Sequence, residues 1–259
     1  MNKERIAFIT GASEGVGRSI AINLAKKNIC LYLLSRSKKK LIKLRNQIKK
    51  NYGNEKIVII PFNMEKKFSK NILNICKKNL GMPDILVHNS GGPKPGNFSK
   101  ISKIMWEKTV NRNLLSVIDL TTLFSKNMIK KNWGRIITIS STVAKYPTPN
   151  MVQSATIRSA VLAFNKSISF DLAKHNITNN NILLGGVETS RLKNLIKINS
   201  RKNKTSFDKY KKKLVKNIPA GRFADPDEIA KLVNYLISKD GDYINGQSIV
   251  IDGGMSKSV

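Results

Sequence analysis

Short apolar runs alternate with longer amphipathic segments along the whole chain. Ile, Val and Leu dominate the runs, a composition typical of parallel strands that are buried on both faces. The runs predict strands at Ile6–Thr10, Cys30–Leu34, Ile57–Ile60, Ile85–Val87, Arg135–Ile139, Ile177–Leu183 and Ser248–Ile251. This alternation predicts an α/β fold with a doubly wound parallel sheet of about seven strands and helices on both faces.

The segments between the runs predict the helices. They lie at Gly15–Lys27, Lys38–Lys50, Asn113–Lys131, Val152–Lys174 and Pro226–Ser238, the last with Asp225 as its N-cap. Because no linker divides the chain, we expect residues 1–259 to form one domain. The pattern weakens at Glu188–Asn217, a Lys-rich stretch that predicts either a helical lid over a site or a solvated excursion.

The charge of the chain is strongly unbalanced. Forty-seven Lys and Arg residues face 16 Asp and Glu residues, which gives a formal net charge of +31. Such a field attracts polyanions, so a nucleic-acid-binding protein is one alternative. The lysines are spread through the chain instead of forming a tract, as expected from a bias towards AT-rich codons. We therefore expect no specific nucleic acid as a partner.

Cysteine content and hydropathy bear on location and on metal binding. Cys30 and Cys76 lack the CxxC spacing of zinc sites and disulfide frameworks, so we expect no metal. No signal-peptide pattern follows the charged residues near Met1, and no apolar stretch approaches the roughly 18 residues that a membrane span requires. These features predict a cytoplasmic protein without a membrane partner.

A glycine-rich turn follows the first predicted strand directly. It runs from Thr10 to Gly17 and leads into the first predicted helix. Glycines allow a tight turn, and they let backbone N–H groups approach a pyrophosphate at the helix N-terminus. The placement between strand and helix therefore predicts a dinucleotide site, although a plain tight turn is the alternative.

The end of the second predicted strand indicates which dinucleotide is bound. A carboxylate at this position would bind the ribose 2′-hydroxyl of NAD, whereas Arg suits a 2′-phosphate. The strand ends in Ser35, Arg36 and Ser37, and no Asp or Glu occurs between Glu14 and Glu55. NADP(H) is therefore the predicted cofactor, with Arg36 and a neighbouring serine hydroxyl on the phosphate.

Motifs in order along the chain resemble the short-chain dehydrogenase/reductase family over nearly its whole length. TGxxxGxG is Thr10 to Gly17, NNAG is His88 to Gly91, NLxG is Asn113 to Ser116, and PG is Gly185 to Gly186. The segments Pro219 to Phe223, Tyr243 to Gln247 and Asp252 to Gly254 resemble the 3-oxoacyl-[acyl-carrier-protein] reductases. The resemblance implies a Rossmann-type fold.

The resemblance also implies a set of cofactor-binding residues. Carried over position by position, they are Thr10, Gly11, Ser13, Gly15, Val16, Gly17, Ser35, Arg36, Asn63, Asn89, Ser90, Gly91, Arg158, Gly186 and Thr189.

The implied catalytic residues depart from the family pattern. The family uses Ser to polarise the substrate oxygen, Tyr to transfer the proton, Lys to lower the pKa of that Tyr, and Asn to support a water relay. Ser141 and Asn113 match, but Ser154 stands at the Tyr position and Arg158 at the Lys position. An aliphatic hydroxyl is a far weaker acid than a phenol, whose pKa is about 10. The resemblance extends to a branch that carries this Ser/Arg pair after a Gly-Gly-Pro segment, here Gly91 to Gly96.

Other residues are candidates for the missing acid. Tyr146 lies in the loop after Ser141, beside Lys145, although it could instead pack the loop. His88 is a packing residue or a proton source.

Two functions of different classes follow. The leading one is an NADP(H)-dependent oxidoreductase that transfers hydride between the nicotinamide and a carbonyl or alcohol, either a small molecule or a 3-oxoacyl thioester on a carrier protein. The alternative is a degenerate nucleotide-binding protein without hydride transfer. The resemblance also implies a homotetramer or homodimer, with Asn113–Lys131 and Val152–Lys174 as candidate interface helices.

Overall fold

The computed structural model describes residues 4–66 and 70–257 and contains one seven-stranded parallel sheet. The spatial order of the strands is β3-β2-β1-β4-β5-β6-β7. Their bounds are β1 Ile6–Thr10, β2 Cys30–Ser35, β3 Ile57–Pro61, β4 Ile85–Asn89, β5 Gly134–Ser141, β6 Ile177–Leu184 and β7 Ser248–Ile251. The predicted α/β class and the doubly wound parallel sheet are confirmed.

Helices join the strands and cover both faces of the sheet. They are α1 Gly15–Ala25, α2 Lys38–Tyr52, α3 Lys70–Lys78, α4 Lys103–Val110, α5 Ser116–Lys131, α6 Val152–Ala173, α7 Ser190–Lys202, α8 Phe207–Lys216 and α9 Pro226–Leu236. Ile20 and Ile229 belong to a buried cluster on one face, and Phe8 and Phe124 belong to the cluster on the other.

Several boundaries differ from the sequence prediction. β1 and β7 have their predicted bounds, whereas β5 extends to Ser141. The predicted start of the helix Asn113–Lys131 was wrong, because a π-helical turn at Asn111–Leu115 precedes α5. Helices α3 and α4 were not predicted. The stretch Glu188–Asn217, which was predicted to be weakly periodic, contains the amphipathic helices α7 and α8. Their apolar side chains pack in a third cluster with Ile218 and Phe223.

The strand order reverses beside β1, which pairs with β2 on one side and with β4 on the other. The connections that follow β1 and β4 therefore leave the sheet in opposite directions, and a crevice opens between them at the carboxyl ends of the strands. Thr10 ends β1 and Asn89 ends β4, so both border this crevice.

A buried polar network fixes α6 on the sheet. The Asn165 side-chain amide donates to Thr138 Oγ1 on β5 at 2.9 Å and to Asn181 Oδ1 on β6 at 2.6 Å. Asn179 Nδ2 donates back to the Asn165 carbonyl at 3.1 Å. Because buried polar groups are costly without partners, these bonds favour one register of α6 on the two strands. They thereby set the positions of α6 residues relative to the end of β5.

Candidate active site

The glycine-rich turn packs directly against the end of β4. Gly11 has φ +57°, and a Cβ there would lie 2.8 Å from Asn89 Nδ2. A Cβ on Gly17 would lie 2.5 Å from the same atom and would also overlap the Gly11 carbonyl. Neither position has room for a side chain, so the turn requires glycine at both.

Hydrogen bonds between Thr10 and Asn89 hold this turn. Thr10 Oγ1 donates to the Asn89 carbonyl at 3.0 Å and accepts from the Asn89 N–H at 2.9 Å. Asn89 Nδ2 donates to the Gly11 carbonyl at 3.1 Å. Thr10 and Asn89 were predicted to bind the cofactor. In the structure, the hydrogen bonds of their side chains stabilise the shape of the turn.

The N-terminus of α1 faces the open side of the turn. Its N-cap residue, Glu14, makes no side-chain capping bond, and Lys40 pairs with the Glu14 carboxylate at 2.6 Å instead. Uncapped N–H groups in the first turn of a helix are donors available to an anion. Val16 is buried in the core, and Ser13 is partly buried in the turn.

The end of β2 presents one buried hydroxyl and one exposed cation. Ser35 Oγ is buried and has no hydrogen-bond partner among the described residues. Arg36 is exposed, and its charge contributes to lowering the pKa of Arg112. The Ser37 hydroxyl accepts from Lys40 N at 3.3 Å as the N-cap of α2. Of the two serine hydroxyls at this strand end, the Ser35 hydroxyl is therefore the one available to a ligand. Asn63 Oδ1 accepts from Glu65 N at 3.1 Å.

Two residues after β6 have different surroundings. A Cβ on Gly186 would lie 2.6 Å from Phe223 Cδ1, so this glycine makes room for packing of Phe223. Thr189 lies against the glycine-rich turn, because its Cγ2 would be 3.2 Å from a Cβ on Gly15. Thr189 Oγ1 also accepts from Leu192 N at 3.3 Å as the N-cap of α7. Helix α7 therefore begins beside the glycine turn.

Asn113 lies in the π-helical turn before α5, and its side chain is held from both sides. Its Nδ2 donates to Ser90 Oγ at 2.6 Å and to the Gly91 carbonyl at 3.3 Å. Its Oδ1 accepts from Arg112 Nε at 3.2 Å. Arg112 in turn pairs with Glu65 at 3.2 Å. A π turn often marks a functional position, and here it brings the amide to the end of β4.

The residues at the catalytic positions lie around the ends of β5 and β4. Ser141 ends β5, and its side chain makes no capping bond to the turn that follows. Ser154 is 4% exposed, and its Oγ lies 3.8 Å from the position that a Cβ would take on Gly92. Arg158 Nη2 lies 3.5 Å from that same position, and Arg158 Nη1 donates to the Ile139 carbonyl at 3.2 Å. The Ser/Arg pair therefore faces the Gly-Gly-Pro loop.

Burial and neighbouring positive charge perturb Arg158. Desolvation, followed by the charges of Arg191 and Arg112, lowers the pKa of Arg158 to about 10. The guanidinium remains protonated near neutral pH, so it acts as a fixed cation and not as a proton donor.

The remaining acid candidates differ in their surroundings. Tyr146 is half-buried in the loop after β5, where its N–H donates to the Thr142 carbonyl at 2.8 Å. Lys145 reaches away to the Ser248 carbonyl at 3.4 Å. His88 is buried with its Nε2 3.0 Å from Thr121 Oγ1, and burial lowers the pKa of His88 to about 3. His88 is therefore neutral near pH 7 and is a hydrogen-bonding residue of the interior, not an acid.

A sequence profile described as short chain dehydrogenase matches residues 5–199, which is most of the chain. The chain belongs to the short-chain dehydrogenase family. The predicted resemblance is thus confirmed, and so is the predicted class of enzyme, an oxidoreductase.

Relatives of this short-chain dehydrogenase align over nearly its full length. The NADPH-dependent reductase BacG of Bacillus subtilis is 29% identical over 257 residues, 99% of each chain. The 3-oxoacyl-[acyl-carrier-protein] reductase FabG of Buchnera aphidicola from Schizaphis graminum is 31% identical over 258 residues, 98% of each chain. A crystal structure of YwfH, described as an NADPH-dependent reductase involved in bacilysin biosynthesis, superposes with TM-score 0.93 and 29% identity, covering 99% of this chain and 100% of that one.

Three site residues of this short-chain dehydrogenase were not predicted. Arg112 and Glu65 hold the Asn113 amide, and Arg191 donates from Nη2 to the Pro93 carbonyl at 3.1 Å. In a chain with 47 basic residues, a single Arg gives no local signal.

Residues 4–66 and 70–257 contain neither a membrane-spanning helix nor a cluster of metal ligands. No helix there is both long and apolar enough to cross a bilayer. The same ranges hold no cluster of three or more His, Cys, Asp or Glu side chains placed to hold a metal ion.

Proposed function

We propose that this protein is an NADP(H)-dependent reductase that transfers hydride between the nicotinamide and a carbonyl or hydroxyl carbon. The observation that carries the proposal is the packing of the glycine-rich turn, called the cradle below. Its Gly11 and Gly17 contact Asn89 so closely that neither has room for a side chain. Such close packing brings backbone N–H groups to a phosphate. The relatives BacG and YwfH are named as NADPH-dependent reductases, which supports the same cofactor here.

The residues around the cradle suit a dinucleotide. The first turn of α1 lacks a side-chain cap and offers its N–H groups to the pyrophosphate. At the end of β2, the buried Ser35 hydroxyl lacks a partner among the described residues, and the exposed Arg36 supplies positive charge. We assign the 2′-phosphate to Arg36, because guanidinium binds phosphate oxygens in a bidentate manner.

Ser141 is the residue that we assign to the substrate oxygen. It ends β5, and its hydroxyl is not engaged in capping the next turn. Arg158 adds a permanent positive charge that stabilises negative charge developing on that oxygen. Asn113, oriented by Ser90 and Arg112, positions a water at the end of β4. When bound, the nicotinamide supplies or accepts the hydride.

The proton requires a source other than Ser154. A serine hydroxyl is too weak an acid for proton transfer near neutral pH, and the guanidinium of Arg158 keeps its proton. We therefore assign the proton to water held near Asn113 or to the Tyr146 phenol.

Residues 188–217 form the proposed substrate lid, within a single domain that spans residues 1–259. A cavity of about 240 Å³ lies between α7 and α8, with Leu192, Ile196, Phe207 and Phe223 among its lining residues. Glu188, Lys193 and Lys211 complete its lining, so one wall is apolar and the rim is charged. The apolar wall suits the hydrocarbon part of a carbonyl substrate. The FabG relative is named for a 3-oxoacyl carrier-protein substrate, so a 3-oxoacyl thioester is one candidate and a ketone or a polyol is another.

A homodimer or homotetramer is the proposed assembly. Helices α5 and α6 expose apolar side chains, including Ile129 and Phe170. Light scattering of the purified chain tests the assembly, since a monomer at working concentration would reject it.

NADPH consumption with a panel of ketones, acetoacetyl thioesters and oxo acids tests the proposed function. We expect Ser141→Ala to lower kcat by about 100-fold or more while leaving NADPH affinity unchanged, because it removes a hydrogen bond to the reacting oxygen. Ser167→Ala, at an exposed serine of α6, is the matched control and keeps full activity. Tyr146→Phe distinguishes the two proton sources, since only a phenol donor is lost with this change.

A nucleotide-binding protein without hydride transfer is the second candidate. The replacement of both the family Tyr and the family Lys, by Ser154 and Arg158, favours it. NADPH binding without consumption by any member of the panel is the result that selects this candidate.

A further inference from the structure

Two guanidinium groups from different helices converge on the loop after β4. The position that a Cβ would take on Gly92 lies 3.5 Å from Arg158 Nη2 and 3.6 Å from Arg191 Nη2. Arg158 belongs to α6, and Arg191 lies in the first turn of α7. The Arg191 guanidinium is held there by its bond to the Pro93 carbonyl at 3.1 Å.

The positive charge at this point is not compensated. Within residues 4–66 and 70–257, neither Arg158 nor Arg191 forms an ion pair, and Arg158 Nε is buried without a partner. Desolvation lowers the pKa of both groups, and the positive charge of Arg112 lowers it further. Arg135, a fully buried arginine elsewhere in the structure, differs from this pair because its charge is compensated by the Asp242 carboxylate. Two partly desolvated cations side by side are costly unless an anion joins them.

The cofactor phosphates are one possible occupant, but the geometry favours another. Thr189 lies against Gly15 of the cradle, whereas Arg191, two residues further along, reaches the Gly91–Pro93 loop instead. Ser154 Oγ lies 3.8 Å from the same Gly92 position. The resemblance implies cofactor contact for Arg158 and substrate contact for the Ser154 position. The guanidinium pair meets Ser154 at Gly92 and not at the glycine-rich turn, which favours the substrate as its partner.

We propose that Arg158 and Arg191 bind a carboxylate of the substrate, so that the protein acts on oxo acids in preference to neutral ketones or thioesters. Two planar guanidinium groups suit the two oxygens of a carboxylate, and both lie at Gly92 together with the Ser154 hydroxyl. This assignment rests on the proposed function and narrows its substrate class. It also disfavours a 3-oxoacyl thioester, which carries no charge next to its reacting carbonyl.

Calorimetric binding to the NADP⁺-saturated full chain tests the assignment without requiring turnover. The probes are benzoylformate and 4-oxo-4-phenylbutyrate, each compared with its methyl ester, which removes the negative charge and adds only one methyl group. We expect at least one acid to bind about tenfold or more tightly than its ester, and Arg191→Gln to abolish that preference. Arg201→Gln removes the same charge from the other end of α7 and is expected to leave the preference intact.

Three results would overturn the assignment. These are esters that bind as tightly as their acids, no binding of either acid, or an equal loss of preference in Arg201→Gln, which would indicate only the general positive field. Arg191 is exposed as a residue, although its guanidinium is partly desolvated against the Pro93 carbonyl. The melting temperature of Arg191→Gln shows whether the variant is folded.

A separate NADPH titration distinguishes the cofactor as the source of the anion. If Arg191→Gln weakens NADPH binding by the same factor as acid binding, the pair holds a cofactor phosphate and the assignment fails. Failure of the proposed function has a different signature, because acid preference in the NADP⁺ complex would then persist without any NADPH consumption.

Discussion

The two ends of the crevice differ in the groups that line them. At the cofactor end, backbone and small side chains pack without free space, and the hydrogen bonds of Thr10 and Asn89 close the turn. At the end that we propose for the substrate, the long side chains of Arg158 and Arg191 converge on Gly92 with uncompensated charge. If these proposals hold, the dinucleotide is recognised by the backbone of one local turn, whereas the substrate is recognised by side chains from two helices that are distant in sequence.

The largest expected effect concerns the cofactor end. Gly17→Ala should weaken NADPH binding by about 100-fold or more and lower the melting temperature, because the new methyl group has no space beside Asn89 Nδ2 and the Gly11 carbonyl. Gly96→Ala is the matched control, since a Cβ on Gly96 meets nothing within 4 Å. Fluorescence titration measures both variants. Unchanged affinity in Gly17→Ala would show that the cradle does not hold the cofactor.

A smaller effect is expected at the end of β2. Arg36→Gln should weaken NADPH binding roughly 10- to 100-fold and leave NADH binding unchanged, because it removes a charge-assisted hydrogen bond to the 2′-phosphate alone. Lys39→Gln, in the first turn of α2, removes an exposed charge nearby and serves as the control. Equal losses for the two cofactors would contradict the assignment of Arg36.

The smallest expected effect is the pH dependence of stability. The pKa of folded His88 is lowered to about 3, below its ordinary value of 6.5, so the unfolded chain binds the extra proton between these values. The contribution of His88 to the free energy of unfolding is therefore complete above pH 6.5 and declines as the pH falls towards 3, by at most about 1.4 kcal/mol per unit. Chemical denaturation at several pH values should show a shallower decline for His88→Asn.

The same variant also tests whether His88 acts in catalysis. Because His88 is neutral near pH 7, the pH profile of kcat/KM should be the same for His88→Asn and for the wild-type protein. A titration near pH 6 to 7 that disappears in the variant would instead identify His88 as the acid.

Local patterns were sufficient for the sheet and the cradle. The bounds of β1 and β7 were predicted to the residue, and the Asp225 N-cap of α9 is present, together with its Glu228 partner in a capping box. These features depend on residues close in sequence, so apolar runs, glycines and caps reveal them.

Tertiary contacts explain most of what was missed. The Ser102 cap of α4 was overlooked, although its hydroxyl accepts from Met105 N at 3.4 Å. Helices α7 and α8 are Lys-rich but amphipathic, so a helical signal was present and the prediction of weak periodicity was wrong. Their apolar faces pack around Phe223, which is distant in sequence. The guanidinium pair could not be predicted from local sequence, because Arg158 and Arg191 come together only where α6, α7 and the Gly91–Pro93 loop meet.

We expect the glycine-rich end of the crevice to be an intact NADP(H) site even though the residues at the catalytic positions depart from the family pattern. Equilibrium fluorescence titration of the purified chain with NADPH and with NADH tests this claim most directly. We expect saturable binding of NADPH that is at least about tenfold tighter than that of NADH. Absence of NADPH binding, or NADH binding of equal strength, would contradict it.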